Sequence, residues 1–302
     1  MKMNQHDDDD PLASLQDWAR RTERKVQREQ RFGGFAAKLR YVLMAAVVVA
    51  LIAVTVPLLR SASSEREEAA AVAPTPPTPA SPFEGTVAAG YPIGAQGITL
   101  PAARAVTGFT AAEVTAALAR VRDALVAGRL DPDMTVDHRP DDFLGLLAPA
   151  SRTQISKWFA SDAFSSVATW IDPAVKLDAG NPPRVSGRMT YKSVVDGKIR
   201  TLRVTTNFVW VYAFQGEFAW RPLAVEHDEV VWDFPSTTNL RVADQGMWVR
   251  TAKSYGAWID CAAAGKGLVA PTPKGDGRGA PPEDPDSLAK PDHALEIDDG
   301  CH

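Results

Sequence analysis

RVSGRMTYKSVVDGKIRTLRVTTNFVWVYAF, residues 184–214, is the stretch whose reading decides the fold. Val185, Met189 and Tyr191 alternate with Arg184, Ser186, Arg188, Thr190 and Lys192. A period of two is the signature of a strand with one buried face. Asp196-Gly197 follows, the dipeptide that most strongly marks a short hairpin. Taken as the turn, it sets Val195 opposite Lys198, and the remaining pairs follow by counting. Tyr191 then meets Leu202, Met189 meets Val204 and Val185 meets Phe208 on one face. Arg188 meets Thr205 and Lys192 meets Thr201 on the other. Turn and alternation agree, as a hairpin register should.

Working outward, the second strand runs on through Phe208, Trp210, Tyr212 and Phe214, too long for its first partner alone. A third strand is expected within 220–234. Its apolar parity is odd at Leu223 and Val225 but even at Val230, Trp232 and Phe234, which predicts a bulge near His227-Asp228. Two further short strands are expected at 247–251 and 255–259. Upstream, Thr110 and Glu113 form a capping box, and Val114, Leu118, Val121 and Leu125 recur at helical spacing, predicting a helix over 110–127. A second helical region follows Pro140, with Phe143, Leu144, Leu146 and Leu147, then Ser151 to Phe159 after Pro149. Helices followed by a bent antiparallel sheet make the class α+β.

That order of elements over 100–260 resembles the cone-shaped fold of ketosteroid-isomerase-like (nuclear-transport-factor-like) domains. The whole layout also resembles bacterial conjugation-channel and secretion assembly proteins and membrane-associated proteins of actinobacteria. The isomerase kind implies enzymes and the anchored kind implies scaffolds, so the resemblance leaves function open.

Residues 41–59, YVLMAAVVVALIAVTVPLL, form an apolar run that at about 1.5 Å per residue would span ~28 Å, close to a bilayer core of about 30 Å. Basic residues crowd its N-terminal side (Arg20, Arg21, Arg24, Lys25, Arg28, Arg31, Lys38, Arg40), so the expected topology is single-pass type II. The expected organisation is a cytoplasmic basic arm (1–40), a transmembrane helix (41–59), an Ala/Pro-rich spacer (60–99), an extracytoplasmic α+β domain (100–262) and an irregular Pro/Gly-rich tail (263–302). A cleaved secretory signal is the rival for the apolar run. The expected location is the cell membrane. The basic arm suits anionic lipid headgroups rather than nucleic acid, since no nucleic-acid fold signature accompanies it.

Only two cysteines occur, Cys261 and Cys301, and a disulfide between them is expected to staple the tail back onto the last strands. His227, Asp228 and Glu229 could serve acid–base chemistry, but adjacent strand residues face opposite sides and share a pocket only across a bulge. Tyr191, Trp210 and Tyr212 with His227 and Asp228 make up the pocket or bulge to inspect. Trp220 and Trp232 read as core. Asp137, His138, Asp141 and Asp142 cluster in a loop, where Asp141 suits a helix cap; no zinc, calcium-loop, P-loop or dinucleotide pattern appears. No cofactor or metal is implied. The first functional expectation is a non-enzymatic, membrane-anchored module binding another protein or a second copy at the cell envelope. The alternative is a cone-fold small-molecule binder or an isomerase-, dehydratase- or hydrolase-like enzyme.

Overall fold

The computed structural model describes residues 81–237, 240–275 and 285–296 of the 302-residue chain. In chain order the helices are α1 (Ala111–Arg129), α2 (Pro132–Thr135), α3 (Asp141–Gly145) and α4 (Pro149–Ile155). The strands β1 (Trp170–Ile171), β2 (Arg184–Asp196), β3 (Ile199–Ala213), β4 (Leu223–Pro235) and β5 (Trp248–Ala257) follow, then α5 (Cys261–Ala264) and β6 (Leu268–Val269). Strands β2-β3-β4-β5 form one antiparallel sheet in that order, and β1 pairs with β6 in a small parallel sheet.

α1 forms where its caps and periodicity place it. The Thr110 hydroxyl accepts from the Glu113 N–H at 3.2 Å, and the Glu113 carboxylate accepts from the Thr110 N–H at 2.7 Å. Val114, Leu118, Val121 and Leu125 are buried against the sheet. The helix continues through Gly128 to Arg129, because a bare Cα lets the backbone approach the Val167 carbonyl. The expected region after Pro140 is two short helices, α3 and α4, with 3-10 turns beyond them.

The hairpin register differs from expectation by two residues. Asp196 pairs with Ile199, so Gly197 and Lys198 make the turn. Gly197 has φ +60° and Lys198 does not have positive φ, which is the pattern of a turn needing glycine at its first central position. Tyr191 therefore meets Val204, Met189 meets Thr206, Val185 meets Trp210, Arg188 meets Asn207 and Lys192 meets Arg203. A shift of two preserves the faces, so the inward and outward sets stand while the partners change.

The expected bulge near His227-Asp228 is corrected as well. β3 and β4 pair without interruption from Thr201↔Pro235 to Ala213↔Leu223. Leu223 and Val225 break the parity because this end of the sheet is buried on both faces. On the helical face lie Phe208, Trp210, Tyr212, Ala224, Val230 and Trp232. On the opposite face Val209, Val211, Leu223, Val225, Tyr255 and Ala257 pack against Phe83, Ala88, Leu288, Ala289 and Leu295. The irregularity sits between Val231 and Trp232 against β5, where Arg250 is the extra residue. The two strands expected at 247–251 and 255–259 are one strand, β5.

Two further expectations are corrected. No helix among the described residues is long and apolar enough to cross a membrane. The proposed span at 41–59 lies outside those residues; the fold class they show is mixed helices with an antiparallel sheet, without the expected transmembrane helix, and the cell-membrane, type II localisation finds no spanning helix among them. Cys261 is disulfide-bonded and not a free thiol, and Cys301, its expected partner, lies outside the described residues. The tail also docks through hydrogen bonds. The Tyr255 hydroxyl donates to the Leu288 carbonyl at 2.8 Å, the Tyr91 hydroxyl donates to the Ala289 carbonyl at 2.9 Å, and Ala289 is fully buried.

Gly187 pairs with Phe208 in the β2–β3 ladder, and a Cβ there would fall inside contact distance of the Asn207 carbonyl and the Phe208 ring. Gly187→Ala is expected to lower stability by roughly 1–3 kcal/mol through overpacking. Chemical denaturation checks it; an unchanged midpoint would show that the ring has room to give.

Candidate functional site

Two groups of polar side chains stand out, one on each face of the sheet. On the helical face, α1 delivers Arg129 beneath β3 and β4, where it is 1 % exposed. Its Nη1 donates to the Ala168 carbonyl at 2.9 Å and to the Thr169 hydroxyl at 3.0 Å. Its Nη2 lies 3.1 Å from the Asp228 carboxylate, and Nη1 lies 3.8 Å from Glu226. Trp210 Nε1 donates to Asp228 at 2.7 Å, while the Tyr212 hydroxyl donates to the Arg129 carbonyl at 2.9 Å and meets the Thr169 hydroxyl at 2.9 Å. Arg129 Nε and Asp228 Oδ1 make no hydrogen bond among the described residues.

Chemically this is one guanidinium between two buried carboxylates. A single positive charge cannot offset both, so desolvation raises the Asp228 carboxyl and pushes Glu226, the more distant partner, up to about 8. The group around it is filled: Phe208, Trp210, Tyr212 and Trp232 are at most 1 % exposed. A charge cluster packed this way ties α1 to the sheet.

Of the residues singled out from sequence, Asp228, Trp210 and Tyr212 meet in this knot. His227 does not. It points to the opposite face, where Nδ1 meets the Tyr255 hydroxyl at 3.0 Å and Nε2 meets Asn207 Oδ1 at 3.2 Å. Burial, and then the neighbouring His293 and Arg188, hold it well below its ordinary range, at about 4. Tyr191 borders the groove described below, while its hydroxyl donates to the Ala102 carbonyl and accepts from the Arg104 N–H, securing the segment before α1. In the other cluster, His138 stacks on Trp170 and meets the Ile171 carbonyl at 2.9 Å, and Asp137 pairs with Arg139 at 3.0 Å. Asp141 opens α3 without a side-chain cap. No group of three or more metal-binding side chains occurs among the described residues.

Arg129 and Glu226 were missed in the sequence. The available signal was charge at the even positions 226 and 228, between apolar even positions at Ala224 and Val230.

The second polar group is an uncovered groove of about 390 Å³ on the opposite face. β2 contributes Arg188, Thr190, Tyr191 and Lys192, β3 contributes Arg203, Thr205 and Asn207, and β4 contributes Glu229. Arg203 is neutralised by a two-pronged pair with Asp233, both contacts at 2.8 Å. Arg188 and Lys192 are exposed and make no ion pair among the described residues, which leaves the groove net positive beside Glu229. Asn207 joins the two regions, lining the groove while it meets His227 at the margin of the tail-covered end.

No protein family matches the chain, and no curated protein or solved structure matches it either.

Arg129→Ala would strand two buried carboxylates, and a loss of about 3–5 kcal/mol in denaturant unfolding is expected. The knot also sets a pH dependence. From somewhat above pH 7 to about 8 the folded state keeps a proton on Glu226 that the unfolded chain releases, while His227 is neutral in the fold and mostly neutral in the unfolded chain. Stability should therefore fall as pH rises through this window and level off above it. Glu226→Gln should flatten that slope; a slope that persists in the variant would place the titrating group elsewhere.

Proposed function

We propose that this domain is a non-catalytic binding module that engages another protein through the sheet face turned away from the helices. The observation that carries the reading is the groove with Arg188 and Lys192 exposed and without ion pairs among the described residues. Polar, open and positively charged, such a surface suits an acidic region of a protein partner; charge complementarity of this kind mainly sets specificity and encounter rate. The enzyme alternative called for His227 and a carboxylate lining one pocket. Weighing against it, His227 and Asp228 lie on opposite faces, and the helical face is packed with buried aromatic side chains.

A photo-crosslinking amino acid placed at Thr190 of the full chain, in cells that make the protein, tests the reading. A discrete protein adduct is expected from Thr190, none from the exposed control position Lys157, and loss of the adduct in R188E/K192E. Equal labelling from both positions, or adducts indifferent to the charge reversal, would contradict a binding face here.

A further inference from the structure

β2 is an edge strand, and along most of its length its outward backbone groups make no hydrogen bond among the described residues, although the Ser193 hydroxyl donates to the Thr107 carbonyl at 2.6 Å. The phase is fixed at its start, where the Val185 N–H donates to the Pro92 carbonyl at 3.0 Å and the Gly94 N–H donates to the Pro183 carbonyl at 2.8 Å. Odd-numbered residues of β2 therefore turn their backbone groups outward, and even-numbered ones turn theirs toward β3. The hairpin agrees, since Asp196 closes the turn against Ile199. From Gly187 to Val195 the outward N–H and C=O groups make no backbone hydrogen bond among the described residues. Val195, at the far end of this edge, is 58 % exposed.

An open edge is a template for another strand, and proteins that do not use such an edge cover it or blunt it. Here the even side chains beside the edge are Arg188, Thr190 and Lys192, the same ones that line the groove. A strand laid along β2 would hold its own alternate side chains about 5 Å from these three. Acidic residues at those positions would meet Arg188 and Lys192. In a second copy of β2 paired antiparallel about Thr190, Arg188 of one chain would oppose Lys192 of the other, like charges in direct opposition.

We infer that β2 receives an extended acidic segment of a partner protein as a fifth strand, antiparallel or parallel to it, with the groove reading the segment's side chains. The inference rests on the binding face proposed above and specifies its mode. Main-chain hydrogen bonds supply the attachment, and the cations select acidic sequences, as in other strand-addition complexes.

The test uses the full chain and two ten-residue blocked peptides, one of alternating Glu and Thr and one of alternating Lys and Thr. Amide exchange is followed by NMR. The Glu–Thr peptide should bind more tightly than the Lys–Thr peptide by about tenfold, the worth of two cross-strand charge pairs. It should also slow exchange at the outward amides of Met189, Tyr191 and Ser193, and R188E/K192E should reverse the preference. Both replaced side chains are exposed, so the variant is expected to keep its fold, which the dispersion of the same spectra verifies. Tight Glu–Thr binding without slowed exchange at those amides would overturn strand addition while leaving the binding face intact. Failure of both peptides to bind a chain that still crosslinks through Thr190 would likewise overturn the inference and not the reading beneath it.

Discussion

Arg129 is the constraint on which the rest of the domain depends. A guanidinium at the last residue of α1 is favourably placed against the helix dipole, but it is buried, and a buried charge persists only when paired. Its partners come from three places: the carbonyl and hydroxyl of residues 168 and 169, the carboxylates of β4, and through Asp228 the indole of β3. The loop after the short helices, the two central strands and α1 are thereby held in one arrangement. Hydrophobic burial supplies the driving force for packing α1 on the sheet. The knot specifies which turn of the helix sits over which pair of strand residues.

That arrangement separates the two faces of the sheet into different jobs. The helical face is committed to core and to a buried charge cluster. The opposite face divides along β3 itself: Val209, Val211 and Ala213 are covered by the segment around Phe83 and by the tail, whereas Arg203, Thr205 and Asn207 are left to the groove. The change from polar to apolar along the odd positions of one strand marks where intramolecular cover ends. Glu229 in the groove and Val225 and Leu223 under the cover repeat the change on β4. Recognition is accordingly assigned to the part of the sheet that the chain itself leaves open.

Much of this was readable in the sequence, and the failures have physical causes. The capping box of α1 and the two-residue periodicity of β2 are local, so they survive tertiary packing. The hairpin turn was placed one residue early because Asp-Gly is a strong turn dipeptide. In the fold Asp196 stays in the strand, where it pairs with Arg250, and Gly197 alone supplies the positive φ. The parity switch on β4 imitates a bulge because burial on both faces gives the same pattern, which FVWVYAF at 208–214, apolar at every position, signals. The knot was hidden for a different reason. Arg129 reads as a solvated residue ending a helix, and nothing local says that the chain will bring it to Glu226 and Asp228. The docking of 285–296 was missed because two tyrosine hydroxyls reaching backbone carbonyls leave no mark on the tail's own composition.

The central claim is that the charged interior is structural and that recognition lies on the other face. Neutralising the knot as a unit tests it most directly, because replacing all the charges together avoids stranding any one of them. In R129M/E226Q/D228N the account predicts a folded domain whose crosslinking through Thr190 matches that of the unaltered chain. A variant that folds with the same sheet register yet no longer engages its partner would contradict the account and return the interior to consideration as the functional site.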